Sequence, residues 1–181
     1  MIEIRHFLRQ ETQALHRELD ASVGVFSSRA EYARFLRGTF RHRAPVEAAL
    51  LDGLARPSGW RPRELLPALC ADLADLALLR PKVEPFPLSN DMAAFLGAAY
   101  VLEGSALGAR VLVQGVGALG FGPGFGARYL SAQAGSLDGW CTLLVALEGL
   151  DRQLWQAAAQ SARSVFAHAI HAFTSEELSP A

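Results

Sequence analysis

Cysteine is nearly absent from this 181-residue chain, which carries only Cys70 and Cys141. Two thiols set in apolar helical patterns make neither a disulfide framework nor a zinc site, and they read as reduced core thiols. Net charge is nearly absent too: 17 Lys+Arg against 18 Asp+Glu leave a formal -1. That balance offers no basic surface on which phosphates could be neutralised, which excludes nucleic acid as a partner. An uninterrupted apolar span is also missing. Met92–Phe121 is rich in Ala, Gly, Leu and Val, but Glu103 and Arg110 break it. Either charge at mid-bilayer would cost roughly 3 kcal/mol, so a buried core helix lined by small residues is expected instead of a membrane span. Arg5, Arg9, Glu11, Arg17 and Glu18 exclude a signal-peptide apolar region from residues 1–20, and the expected compartment is the cytoplasm. Strand signals, internal repeats and low-complexity tracts are all lacking.

What the chain does have is core material, with 51% hydrophobic against 19% charged residues. Its length suits one core, so a single domain over 1–181 is expected. Ala, Leu, Arg and Glu dominate, and the expected class is an all-α helical bundle. The pattern predicts helices over about Ile2–Asp20, Arg29–Leu54 (bending at Pro45) and Arg63–Leu79. A fourth starts at Ser89-Asn90-Asp91, with Asn90 or Ser89 as N-cap, and runs to about Gly115. A short helix over Ala127–Gln133 follows glycine-rich punctuation, and the last two cover Leu137–Ala159 and Ser161–Leu178.

Two segments carry chemistry. In the first helix Leu8, Thr12, Leu15 and Leu19 repeat at helical spacing, and His16 lies on the shoulder of that apolar stripe. Arg9 falls on nearly the same line two turns earlier, about 10 Å along the axis. Asp20 stands one turn after His16, where i,i+4 side chains meet. An imidazole beside an apolar surface, oriented by a carboxylate and flanked by a cation, is what a metalloporphyrin would use. A boundary histidine among unrelated surface charges has the same pattern. In the fourth helix Gly104 and Gly108 each cost up to about 1 kcal/mol relative to Ala, so the pair demands a compensation. Close helix–helix packing through a small-residue seam would supply one. Backbone lying directly against a flat ligand would supply another, and Gly97 extends the smooth face on either reading.

Taken together, the two segments resemble a known family. Leu8-Arg9-Gln10-Glu11-Thr12-Gln13-Ala14-Leu15-His16-Arg17-Glu18-Leu19-Asp20 resembles the amino-terminal helix of heme oxygenases. Tyr100-Val101-Leu102-Glu103-Gly104-Ser105-Ala106-Leu107-Gly108 is similar to their distal helix in its bacterial form, especially in enzymes that supply biliverdin to bacteriophytochromes. The resemblance implies heme between the first helix and a kinked fourth helix. It makes His16 the iron ligand, Asp20 its acidic partner and Arg9 a propionate contact. Gly104, Ser105 and Gly108 become the catalytic distal set, and Phe166 and Phe173 the pocket aromatics. Heme would then be both cofactor and substrate, cleaved by O2 and external electrons (from a ferredoxin or other reductase) to biliverdin, CO and Fe2+. An electron-donor protein and a bacteriophytochrome acceptor are the implied partners. Ser105 stands where many members carry Asp, and Gly139–Gly149 lacks the basic residues that many use for propionates, leaving Arg128, Arg152 and Arg163 as substitutes. A heme-binding sensor or carrier without turnover is the alternative. His6, His42, His168 and His171 show no paired metal spacing and read as surface or satisfied-core residues.

Overall fold

The computed structural model describes residues 3–135 and 137–175. These form seven α-helices and no strand: α1 Glu3–Val23, α2 Arg29–Asp52, α3 Leu66–Asp75, α4 Met92–Val116, α5 Arg128–Gly135, α6 Asp138–Glu148 and α7 Trp155–Thr174. The all-α expectation holds, and the differences lie at element ends. Ile2 and 176–178 lie outside the described residues. α2 opens with a capping box, in which Ser28 accepts from the Glu31 N–H while the Glu31 carboxylate accepts from the Ser28 N–H. Pro45 lies buried inside α2 without ending it.

Four expectations need correction. Cys141 is exposed and Cys70 half-buried, so neither is a fully buried core thiol. The N-cap of α4 is Asp91, not Asn90 or Ser89, because its carboxylate reaches the Ala94 N–H at 2.8 Å. The third helix is ten residues long and ends at Asp75, where Ala77 adopts a left-handed φ of 54°. The break in the last third falls at Gly149–Asp151, not at Gln160. Gly149 closes α6, and the Asp151 carboxylate accepts from the Gln153 N–H to start a 3₁₀ turn that runs into α7. No glycine or capping side chain interrupts Trp155–Thr174, so the helical period continues through Gln160.

The apolar residues gather in two clusters. The first contains Ile4 and Leu8 of α1, Val46 and Leu50 of α2, Phe95–Leu102 of α4, Leu143 and Leu147 of α6, and Ala158–Phe166 of α7. The second contains Tyr32–Ala44 of α2, Leu69 and Leu73 of α3, Ala109 and Val116 of α4, and Tyr129 and Leu130 of α5. α1, α4 and α7 all pass from the first cluster into the second, since Val23 and Phe173 pack against the latter. α7 packs against both α1 and α4, whereas α1 and α4 scarcely touch one another. α4 is long and apolar enough to cross a membrane, yet most of it is buried against its neighbouring helices. Its interior charge is paired there: Glu103, only 1% exposed, accepts from Arg63 Nε at 3.0 Å.

Candidate functional site

The level at which the two clusters meet is where α4 carries Gly104–Gly108 and α1 carries His16 and Asp20. By the helical period Tyr100, Gly104, Leu107, Gly108 and Val111 share one side of α4, opposite the buried line Leu102, Ala106 and Ala109. That side turns away from the core. Leu107 and Val111 are 45% and 71% exposed, and a Cβ built on Gly108 would meet nothing within 4 Å. A bare apolar strip on a helix otherwise packed into the core is a surface shaped for an apolar ligand. Gly104 is more confined, since its added Cβ would stand 3.3 Å from the Trp140 ring on α6.

On α1 the imidazole of His16 is exposed, and its Nδ1 lies 3.0 Å from Asp20 Oδ2. The other ring nitrogen, Nε2, is therefore the one available to a metal, with the carboxylate fixing tautomer and orientation. The Phe166 ring on α7 borders the imidazole, with centroids 5.7 Å apart. Phe173, seven residues later, is not brought to His16. It stacks on Phe35 at 6.1 Å and lies over Gly38, where a Cβ would collide with the ring at 2.4 Å.

A cationic edge forms between the starts of α1 and of the bare strip. Burial raises the phenol pKa of Tyr100, against which the nearby Arg5 and Arg9 charges pull. Tyr100 lies against Trp140 (5.4 Å between centroids), and the Arg5 guanidinium sits over the same indole at 5.8 Å. Arg9 was legible in the sequence. Arg5 and Tyr100 were missed as site residues, although each stands one turn before a residue that was chosen, on the same side of its helix. The substitutes for the basic residues that Gly139–Gly149 lacks are engaged elsewhere. Arg128 pairs with Asp72 and Asp75, Arg152 lies over Trp155, and Arg163 binds Glu11.

Ser105 projects from the flank of the strip and is held from behind. Its Oγ donates to the Leu102 carbonyl at 2.6 Å and accepts from Gln133 Nε2. Gln133 is buried, and its Oε1 accepts from Arg43 Nη1 at 3.0 Å. No local pattern signals this connection, because Gln133 and Arg43 belong to α5 and α2. Among the described residues no group of three or more His, Cys, Asp or Glu side chains could hold a metal ion.

No protein-family profile matches the chain. It is 32% identical over 154 residues to heme oxygenase PigA of Pseudomonas aeruginosa, an alignment covering 77% of this chain and 75% of that protein. It is 33% identical over 144 residues to a heme oxygenase of Xanthomonas campestris pv. campestris, covering 76% of this chain and 85% of that protein. Its fold is similar to that of the NO- and CO-bound heme oxygenase of Neisseria meningitidis, with a TM-score of 0.70, 24% identity, and 97% and 94% of the two chains covered.

Proposed function

The chain belongs to the heme oxygenase family, and from that premise we propose how its own residues serve the reaction. The activity is that of an oxidoreductase that cleaves heme with O2 and electrons to biliverdin, CO and Fe2+. One observation carries the assignment of the site: the exposed His16 and the bare side of α4 lie at the same level of the bundle on two helices that scarcely touch.

The residues present fit heme. It needs a nitrogen ligand for iron, apolar surface for the ring and donors for two carboxylates. His16 Nε2 supplies the first, and Asp20 holds that imidazole by its other nitrogen. Gly104, Leu107, Gly108 and Val111 supply the second, with Phe166 filling the space beside the ligand. Arg5 and Arg9, together with the Tyr100 hydroxyl, supply the third, because guanidinium groups bind carboxylates through paired N–H donors. When bound, heme supplies the iron that activates O2 and is itself the molecule cleaved. A neutral imidazole gives that iron less electron push than a thiolate, which does not favour O–O cleavage as thiolate ligation does. Gly108 would keep a side chain out of the space over the ring, and Gly104 leaves room there for the edge of Trp140. Ser105, beside the pair, offers a polar atom to hold water at the edge of that space. Phe173 serves as packing between α7 and α2 on this reading.

Because cleavage consumes reducing electrons, an external donor belongs to the proposal, a ferredoxin or another reductase. A bacteriophytochrome as biliverdin acceptor rests on the similarity of the Leu102–Ser105 segment to enzymes with that role. Titration with hemin tests the site. A Soret band should form in the native protein and be lost or strongly displaced in His16→Ala, whose folding should be unaffected because the imidazole is exposed. Ascorbate or reduced ferredoxin in air, with catalase present, should then replace the Soret band by biliverdin absorbance. An unchanged Soret band in His16→Ala would remove His16 from the assignment. A stable band under reduction would reduce the protein to a heme carrier.

A further inference from the structure

We infer that Gln133, locked by Arg43, is a positioning residue that fixes the Ser105 hydroxyl as a hydrogen-bond acceptor beside the bare strip of α4. The inference rests on the strip being the substrate's surface, and it concerns a chain of bonds that reaches the strip from the far side of the bundle.

The chain starts on main-chain groups. The N–H groups of Leu65 and Leu66 each donate to the Glu47 carboxylate at 3.1 Å. Glu47 in turn accepts from Arg43 Nε at 2.6 Å, with both side chains 2% exposed or less. Arg43 Nη2 donates to the Arg63 carbonyl at 3.0 Å, and Nη1 donates to Gln133 Oε1 at 3.0 Å while lying 3.5 Å from the Tyr129 hydroxyl. A guanidinium has donors only. Gln133 must therefore turn its oxygen to Arg43, and its NH2 is what remains for Ser105. Ser105 accepts that N–H and gives its own proton to the Leu102 carbonyl.

The directions from Glu47 through Arg43 to Gln133 are forced, because reversing any of them would strand a buried donor or charge, at about 1–3 kcal/mol or more. With the Gln133 NH2 so directed, the Ser105 O–H is the group left for the Leu102 carbonyl. The consequence falls on the exposed end. A serine hydroxyl ordinarily both donates and accepts, but here its proton is committed and one lone pair is taken. What Ser105 shows to the strip is a single acceptor lone pair. A water lodged there gives one hydrogen to Ser105 and keeps the other for an oxygen over the glycines. The hydroxyl has been made acceptor-only, the character of a carboxylate, without adding a second negative charge two residues from the buried Glu103.

Three variants test this. Ser105→Ala removes the acceptor. Gln133→Leu removes the lock and leaves an Arg43 donor unpaired. Gln133→Glu keeps a partner for Arg43 but offers Ser105 only oxygens, so the hydroxyl must turn its proton away from Leu102. In the heme-free protein, the Gln133 side-chain NH2 protons should exchange slowly by NMR and should be exposed to exchange in Ser105→Ala. In the heme-loaded protein, biliverdin formation should slow by about tenfold in Ser105→Ala, in Gln133→Glu and in Gln133→Leu, with hemin affinity unchanged. Adding Gln133→Leu to Ser105→Ala should cost no further activity, although it should still lower Tm. The pH midpoint of the ferric visible spectrum should move in the same direction in all three single variants. Freely exchanging Gln133 protons, or activity losses that multiply in the double variant, would overturn the inference even with a normal Soret band. Absence of a Soret band in the native protein would instead overturn the reading of the strip.

Discussion

Gly97 and Gly108 sit on the same side of the same helix and have opposite surroundings. A Cβ on Gly97 would stand 2.1 Å from the Ala158 carbonyl oxygen and 3.0 Å from Ser161 Cβ, because α7 crosses α4 there and Ser161 Oγ bonds the Ala94 carbonyl at 2.7 Å. A Cβ on Gly108 would meet nothing. Gly104 lies between the two extremes, with Trp140 near but not overlapping. The two explanations for a glycine in a helix are thus both realised within three turns of α4. At one end glycine admits another helix, and at the other it leaves room that none of the described residues takes. A seam of small residues does not by itself separate packing from binding; only the covering of each position does.

Substitution at the two ends should break this comparison most sharply. Gly97→Leu drives a side chain into the backbone of α7 and should cost about 3 kcal/mol or more, lowering Tm by roughly 10 °C in thermal melts. Gly108→Leu should leave Tm unchanged or raise it, since removing a helix glycine gains up to ~1 kcal/mol, yet it should reduce heme turnover at least tenfold. A Tm loss at Gly108 as large as that at Gly97 would show that the strip is covered after all. Gly104→Ala should fall between, with a stability change under about 1 kcal/mol whose sign depends on whether Trp140 yields. Pairing it with Trp140→Phe should remove any loss.

The weakest effect compares two histidines on the same terms. His16 faces the open side, whereas His42 is half-buried where α2 packs on α7, with its Nδ1 3.3 Å from His168 Nδ1 and the Phe86 ring edge-on to His168. Burial first, then the His168 and Arg43 charges, push His42 down to about 3. The unfolded chain takes up that proton near pH 6.5, so between about 6.5 and 3 the unfolded state binds more protons than the folded one. Stability should therefore be complete above pH 6.5 and fall as the pH drops through this window. Melts from pH 7 to 4 should show a shallower decline in His42→Gln, and an identical decline would assign the acid sensitivity to other groups.

What could be read without the fold was local. His16 and Asp20 meet because a helix puts i and i+4 side by side, and the capping box of α2 spans four residues. Arg43 and Glu47 have the same spacing, but their burial depends on α3 and α5 closing over them, so the pair gave no sign of its importance. Phe166 and Phe173 stand nearly in line on α7, and yet one meets His16 of α1 and the other Gly38 of α2. Arg5 and Tyr100 are separated by more than half of the chain and come together only through the bundle.

The sequence by itself determined the helices, the imidazole with its carboxylate, and the glycines at one spacing, since each depends on residues within a turn or two of one another. The tertiary structure alone decided which glycine is buried and which is bare, which aromatic reaches the imidazole, and which way the Ser105 proton points. Those outcomes depend on which remote helix lies over a given side of α4. That choice is made by the summed packing of both apolar clusters, not by any stretch of chain that contains the site.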